Sequence, residues 1–177
     1  NVRPVAPSSE IDFEIGAFEL IEARRLFEGE AAALAATSIT DEQIAELETL
    51  LQRMHEEEEI RGEDADREFH LTIARATGNG AIIATIENLW DWRNRSPLAR
   101  NILARARGMG LEPRIVEHRR VVEALKARDP AAARQAMRDH LERVIDHLLH
   151  ATETEAVQRA QQETKARRSA IAKRVAI

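Results

Sequence analysis

The chain has 177 residues, of which 44% are hydrophobic and 32% charged, with seven glycines and few aromatic residues, a composition typical of packed helices. It contains no cysteine, which excludes disulfides and thiol chemistry and favours the cytoplasm, and no apolar run approaches the roughly 18 residues that span a bilayer. The net charge of −5 argues against a general nucleic-acid binder. We therefore expect one all-α domain without a membrane segment.

The first helix is predicted from about Ile15 to Thr37, after a stretch at 1–14 whose two prolines and two serines indicate a linker. Its apolar stripe is predicted to consist of Leu20, Phe27, Ala31 and Leu34. Arg24 falls on this stripe, where a guanidinium that faces a core must meet an anion. The pattern leaves two readings open for Arg24, a salt bridge to a glutamate of the next helix or the binding of a ligand.

Two helices are predicted next. Residues Thr40 to Gln43 form a capping box that opens the second helix. A third helix ends near Gly78 and carries Asp66 and His70 beside its apolar side. Four residues at about 100° each place two side chains one turn apart on one face, which is the geometry of a metal-ligating pair. Taken alone this signal is weak, because such pairs are common on solvated helix faces.

Asn79 is predicted to cap a fourth helix that runs from Ala81 to about Arg95. The residues expected to face inward are Ile82, Ile83, Ile86, Leu89 and Trp90. A tryptophan on an apolar helix belongs to the core more often than to a ligand site. Residues 98–112 are predicted to contain a short basic helix and a loop with two glycines.

The last two predicted helices meet at Asp129-Pro130. His118 lies 11 residues before Asp129 and His140 lies 11 residues after it. At about 1.5 Å per residue, both imidazoles stand on the order of 16 Å from the bend on antiparallel neighbours and can face each other. With Asp66 and His70 they provide one carboxylate and three imidazoles, which suits Zn²⁺, Ni²⁺, Mn²⁺ or Fe²⁺. Each histidine singly is also explained as a core residue with a backbone or carboxylate partner.

Several motifs, in the same order, resemble those of the C-terminal effector-binding (FCD) domain of GntR-type transcription regulators of the FadR subfamily. These motifs are Glu22-Ala23-Arg24-Arg25-Leu26 through Ala35-Ala36, Asp66 with Phe69-His70, Ala76-Thr77-Gly78-Asn79, Glu117-His118, and Met137-Arg138-Asp139-His140-Leu141. The resemblance runs from about Phe18 to Leu149. It implies an antiparallel bundle of about six to seven helices with an internal cavity for a metal and a ligand.

The same resemblance implies roles for individual residues. The implied metal ligands are Asp66, His70, His118 and His140, and Arg24 is implied to hold the carboxylate of a small metabolite effector. A narrower likeness is to the hexuronate-responsive regulators of glucuronate and galacturonate catabolism, and it lies in the segments Gly16 to Arg24, Ala76-Thr77-Gly78-Asn79, and Leu89-Trp90 with Arg93. It implies a sugar acid as the effector. The implied pocket residues are Asn79, Trp90 and Arg93.

We therefore expect a linker at 1–14, an effector-binding and dimerisation domain at 15–150, and, beyond the resemblance, a polar, helical or frayed tail at 151–177. The winged helix-turn-helix of these regulators is not in this chain, so we expect a homodimeric sensor that reaches operator DNA only through that missing domain. No enzymatic activity is expected. Two alternatives remain, a metal-dependent, hydrolase-like helical enzyme whose open metal position activates water and a metal-stapled structural bundle.

Overall fold

The computed structural model describes residues 15–56, 59–108 and 115–175, and in these ranges the chain forms seven α-helices and no strand. The helices are α1 (Ala17–Ala36), α2 (Asp41–Glu56), α3 (Glu59–Ala76), α4 (Gly80–Arg95), α5 (Pro97–Gly108), α6 (Ile115–Lys126) and α7 (Pro130–Val175). The all-α bundle is confirmed. The linker predicted at 1–14 and the end of the loop predicted after α5 lie outside the described residues.

Local hydrogen bonds begin α2 and α4 where the sequence predicts. The backbone N–H of Gln43 donates to the Thr40 hydroxyl at 3.2 Å, and the backbone N–H of Thr40 donates to the Gln43 side-chain oxygen at 3.0 Å. The Asn79 side-chain oxygen accepts from the N–H groups of Ala81 and Ile82 at 3.0 and 3.3 Å. The predicted capping box and the predicted N-cap are therefore both confirmed.

Helix α1 lies at the centre of the bundle and packs against α3, α4, α5, α6 and α7. The largest fully buried side chains of the core are Trp90, Phe69, Leu20, Ile21, Ile39, Leu47, Leu71, Ile73, Ile86, Leu125, Met137 and Leu141. Each such side chain contributes about 1.5–3 kcal/mol when it is removed from water. This packing gives the helices a fixed arrangement on which a buried site can be built.

The apolar stripe predicted on α1 is partly wrong. Leu20 and Ala31 are buried, but Phe27 is 44% exposed and Leu34 is 50% exposed. The helix is rich in alanine, so small residues form much of its buried face and the larger apolar side chains do not mark that face. Close packing also depends on Gly29, because a Cβ at this position would lie 2.9 Å from Cγ of a side chain on α7.

The α6–α7 turn has an unusual backbone conformation. Arg128 has a φ of 54°, in the left-handed region that residues other than glycine rarely adopt. Its guanidinium contacts the backbone oxygen of Ile39 and lies 3.2 Å from Oδ1 of Asp41. The Asp129 carboxylate accepts hydrogen bonds from two N–H groups of the first turn of α7, both at 3.0 Å. The contacts of Arg128 thus attach the turn to the beginning of α2.

Helix α7 continues without interruption for 46 residues, a length of roughly 69 Å at 1.5 Å per residue. The last of its residues described as buried is Ala151, and every side chain from Ala156 to Ile171 is exposed. None of the helices in the described ranges combines the length and the hydrophobicity that crossing a bilayer requires.

Candidate metal centre

The four predicted metal ligands meet in the interior of the bundle. Asp66 and His70 come from α3, His118 from α6 and His140 from α7, and all four residues are buried. Each residue offers one ligand atom that lies within 4.8 Å of the others. The α6–α7 turn brings the two later imidazoles to one level, with 4.2 Å between the ring centroids of His118 and His140.

Asp66 is close to two of the imidazoles. Its Oδ1 lies 3.0 Å from Nε2 of His118 and 3.6 Å from Nε2 of His70. The shorter distance is that of a hydrogen bond, whereas the longer one is not. Among the described residues, Nε2 of His70 is a buried nitrogen without a hydrogen-bond partner. Leaving such an atom unsatisfied costs about 1–3 kcal/mol, a cost that a bound metal ion would offset.

Two buried glutamates lie near the Nδ1 atoms of two of the imidazoles. Nδ1 of His70 contacts Oε2 of Glu28, and Nδ1 of His140 lies 3.6 Å from Oε2 of Glu117. Arg143 pairs with the other oxygen of Glu117 at 2.7 Å. At His70, the carboxylate in contact with Nδ1 favours the tautomer with its proton there and leaves the lone pair of Nε2 for a metal. At His140, the distance is too long for a hydrogen bond.

Neither glutamate was predicted as a functional residue from the sequence. Glu28 follows Arg24 by one helical turn, and Glu117 directly precedes His118, so each stood beside a residue that was already singled out. Nothing in the sequence distinguished them from the glutamates of a solvated helix face, where this residue usually lies.

Two members of the cluster, Asp66 and His140, are held in the forms that bind a cation. Burial lowers the pKa of His140, and the neighbouring His118 and His70 lower it further, to well below its usual range. Burial alone would raise the pKa of Asp66, but the hydrogen bond from His118 and the nearby His70 hold it well below its ordinary value. Asp66 is therefore ionised and His140 neutral at physiological pH.

The four residues fit a divalent transition ion. Ligand atoms about 2.0–2.2 Å from such an ion lie on the order of 3 to 4 Å from one another, which needs only small side-chain adjustments here. Three imidazole nitrogens and one carboxylate oxygen form a donor set used by zinc, nickel, manganese and iron alike. The cluster can thus hold a metal, and its donor set does not select one of these four.

Two guanidinium groups and an indole lie next to the cluster. The Trp90 ring is fully buried, with its centroid 5.3 Å from that of His70. Cζ of Arg24 lies 3.9 Å from the Trp90 ring centroid, and Cζ of Arg93 lies 5.0 Å from it. Burial lowers the pKa of Arg93 to about 10, so this group keeps its charge at neutral pH. The structure therefore brings three of the four predicted effector residues together.

The closest ionic partner of Arg24 is on its own helix. Nε of Arg24 donates to Oε1 of Glu28 at 2.6 Å, and the exposed fractions of the two side chains are only 4% and 2%. The internal salt bridge considered from the sequence is therefore present, but its partner is on α1 instead of the next helix. The fourth predicted effector residue, Asn79, is exposed, and its side-chain oxygen is engaged in the α4 cap. Asn79 therefore does not lie among the buried groups of the site.

Comparison with known proteins identifies the family. Residues 19–143 match the sequence profile of the FCD domain. The chain belongs to the FCD domain family. The Exu regulon transcriptional regulator of Escherichia coli K12 is 33% identical over 127 residues, which cover 72% of this chain and 49% of that protein. The Uxu operon transcriptional regulator of the same strain is 32% identical, over 81% of this chain and 58% of its own length.

The similarity to solved structures supports the same assignment. Escherichia coli McbR/YncC matches with a TM-score of 0.63 and 25% identity, over 75% of this chain and 63% of the other. Streptococcus agalactiae GntR matches with a TM-score of 0.57 and 25% identity, over 77% and 61%. The FCD chain spans about half the length of the curated relatives it matches. These curated relatives are named as transcriptional regulators, in agreement with the family that the resemblance implied.

Proposed function

We propose that this FCD domain is the ligand-sensing part of its regulator and binds a small carboxylate metabolite beside a divalent transition metal. The proposed metal ligands are Asp66, His70, His118 and His140. The observation that carries the proposal is the position of two guanidinium groups, Arg24 and Arg93, around Trp90, whose ring packs against His70.

The charges of the buried groups support an anionic ligand. Asp66 and Glu28 contribute two negative charges. Arg24 and Arg93 contribute two positive charges, which balance them. A bound divalent ion supplies further positive charge and open positions for oxygen ligands. Because an uncompensated charge in a protein interior is strongly unfavourable, the metal-loaded site favours a ligand that carries a carboxylate.

Arg24 remains able to hold such a carboxylate although it pairs with Glu28. A guanidinium has five N–H donors in a planar fork, and one glutamate carboxylate engages about two of them. Trp90 lies against the guanidinium plane and restricts its orientation. Arg24 is thus held in place before a ligand arrives, which lowers the entropy cost of binding.

We infer that the effector is a hexuronate or a related sugar acid. Two of the curated relatives are named for the Exu regulon and the Uxu operon. A sugar acid offers a carboxylate with hydroxyl groups nearby, and these oxygens suit both a guanidinium and a transition ion. Trp90 and Arg93 are the proposed further contacts of this ligand.

In the full-length regulator, we propose that the domain forms a homodimer and that operator DNA is bound by a separate N-terminal winged helix-turn-helix. The effector binds one arrangement of the bundle more tightly than another and thereby shifts the population of DNA-binding states. The size of this shift is limited by the difference between the two binding affinities.

Calorimetric titration of metal-loaded protein with galacturonate and glucuronate tests this function. We expect saturable binding that disappears when the metal is removed with a chelator. Arg24→Ala should weaken it by about 10- to 100-fold, since hydrogen bonds to charged groups contribute about 1.5–3 kcal/mol. Elemental analysis should find the metal retained in this variant.

The matched control is Arg25→Ala, which removes the neighbouring guanidinium that pairs with Glu142 at 2.6 Å. This variant should bind the sugar acid with the affinity of the unaltered protein. Equal weakening by both substitutions would contradict the role of Arg24. A metal-loaded protein that binds neither acid would contradict the sensing function and leave a metal-stapled bundle.

A further inference from the structure

Glu28 is a buried carboxylate that neither the metal ligands nor the proposed effector contacts include. It lies on α1 with 2% of its surface exposed. An ionised carboxylate in a protein interior is strongly unfavourable unless it is paired and hydrogen-bonded. Its two oxygens must therefore have partners that justify its position.

One partner of Glu28 belongs to the metal cluster, and the other belongs to the proposed carboxylate-binding site. Oε1 of Glu28 accepts a hydrogen bond from Nε of Arg24 at 2.6 Å. Oε2 contacts Nδ1 of His70 and lies 3.5 Å from Nη2 of Arg24. One carboxylate thus stands between an imidazole of the metal cluster on α3 and the guanidinium next to Trp90.

We propose that Glu28 is a positioning residue that orients His70 for metal binding and Arg24 for carboxylate binding at the same time. The contact at Nδ1 directs Nε2 of His70 towards Asp66. The contact with Nε holds the guanidinium beside the indole. The part of this proposal that concerns Arg24 rests on the proposed function, whereas the part that concerns His70 rests only on the metal cluster.

The neighbouring Glu30 shows what an ordinary ion pair on this helix is like. Glu30 is exposed and pairs with Arg134 at 2.9 Å and with Arg138 at 2.8 Å, on the outer side of the α1–α7 contact. It contacts no imidazole in the described part of the chain. An ion pair that only joins α1 to another helix can form at the surface, as that of Glu30 does. Glu28 is instead buried against a histidine.

Both oxygens of Glu28 are needed as acceptors. A glutamine at this position has one acceptor oxygen and one NH₂ group. Its NH₂ group would face either the Nε–H of Arg24 or the Nδ1–H of His70, donor against donor. Glu28→Gln therefore keeps the size of the side chain and removes one of the two contacts.

The test is titration with Co²⁺, whose visible absorption reports the geometry of its ligands. Glu28→Gln should weaken Co²⁺ binding by about 10- to 100-fold, the usual effect of losing the hydrogen-bond partner of a metal-ligating histidine. The absorption bands of its Co²⁺ complex should also shift. Glu30→Gln is the matched control and should leave both affinity and spectrum unchanged.

Glu28→Gln with the Co²⁺ affinity and spectrum of the unaltered protein would overturn the proposal. Equal weakening by Glu28→Gln and Glu30→Gln would overturn it too, because the effect would then belong to the charge of α1. If Glu28→Gln does not fold, Glu28→Asp keeps the charge and withdraws the carboxylate by one methylene. It should also weaken Co²⁺ binding, and an unaltered affinity in this variant would overturn the positioning role.

Galacturonate titration of the same variants separates this proposal from the proposed function. Weaker Co²⁺ binding by Glu28→Gln in a protein that binds no sugar acid would support the orientation of His70 and contradict the sensing function. Metal-dependent sugar-acid binding together with unaltered Co²⁺ binding by Glu28→Gln would support the sensing function and contradict the orientation of His70 by Glu28. The two proposals can therefore fail independently.

Discussion

The two halves of α7 share one uninterrupted helical backbone but have different relations to the rest of the molecule. Ala133, Met137, His140, Leu141 and Leu148 of the first half are buried against the bundle. In the second half, every side chain from Ala156 to Ile171 is exposed. Helical conformation is therefore not evidence of packing, and both the candidate site and the side chains of α7 that are described as buried belong to its first half.

The largest expected difference along α7 concerns metal binding. His140→Ala removes a buried imidazole of the cluster and should lower metal affinity by more than the roughly 10- to 100-fold caused by losing an outer-shell partner. His150→Ala, an exposed histidine farther along the same helix, should retain the metal. Elemental analysis after gel filtration measures both. Metal retained by His140→Ala would remove this residue from the site.

The next difference concerns stability. Leu148 is 1% exposed, so Leu148→Ala should lower the free energy of unfolding by about 2–5 kcal/mol through lost burial and a cavity. Val157 is 52% exposed, so Val157→Ala should change it by no more than about 0.5 kcal/mol. Urea unfolding followed by circular dichroism measures both values. Similar losses in the two variants would mean that the second half of α7 is packed in solution.

The smallest expected effect is that of shortening α7. A chain that ends at Glu155 loses no side chain that is buried in the described bundle, so its unfolding free energy should stay within about 0.5 kcal/mol of the intact chain. Its metal content should also be unchanged. The same unfolding and elemental measurements apply, with the intact chain as the control. A larger loss would show that the two halves of the helix depend on each other.

Regular spacing accounts for what the sequence predicted well. The equal distances of His118 and His140 from Asp129 are converted by helix geometry into a shared level, and their rings do meet. The caps at Thr40 and Asn79 are formed by residues a few positions apart, so local sequence is sufficient to predict them. Each of these features depends on short stretches of chain whose geometry is known in advance.

The features that were missed depend on the way distant helices meet. Glu28 is buried because Arg24 and a histidine of α3 converge on it, and only the tertiary structure brings all three together. The exposure of Phe27 and Leu34 was missed because an alanine-rich helix can bury more than one of its faces. The spacing of the apolar residues then gives little information about which face of the helix will be buried.

The turn at Arg128 is an exposed element that joins the two helices carrying His118 and His140. A left-handed backbone at a residue other than glycine costs about 1–2 kcal/mol. The contacts of its guanidinium with Ile39 and Asp41 compensate for this strain and tie the turn to another helix. The turn therefore helps to fix the level at which His118 and His140 face each other. We expect a substitution at this exposed position to alter the distance between the two imidazoles although it touches neither of them.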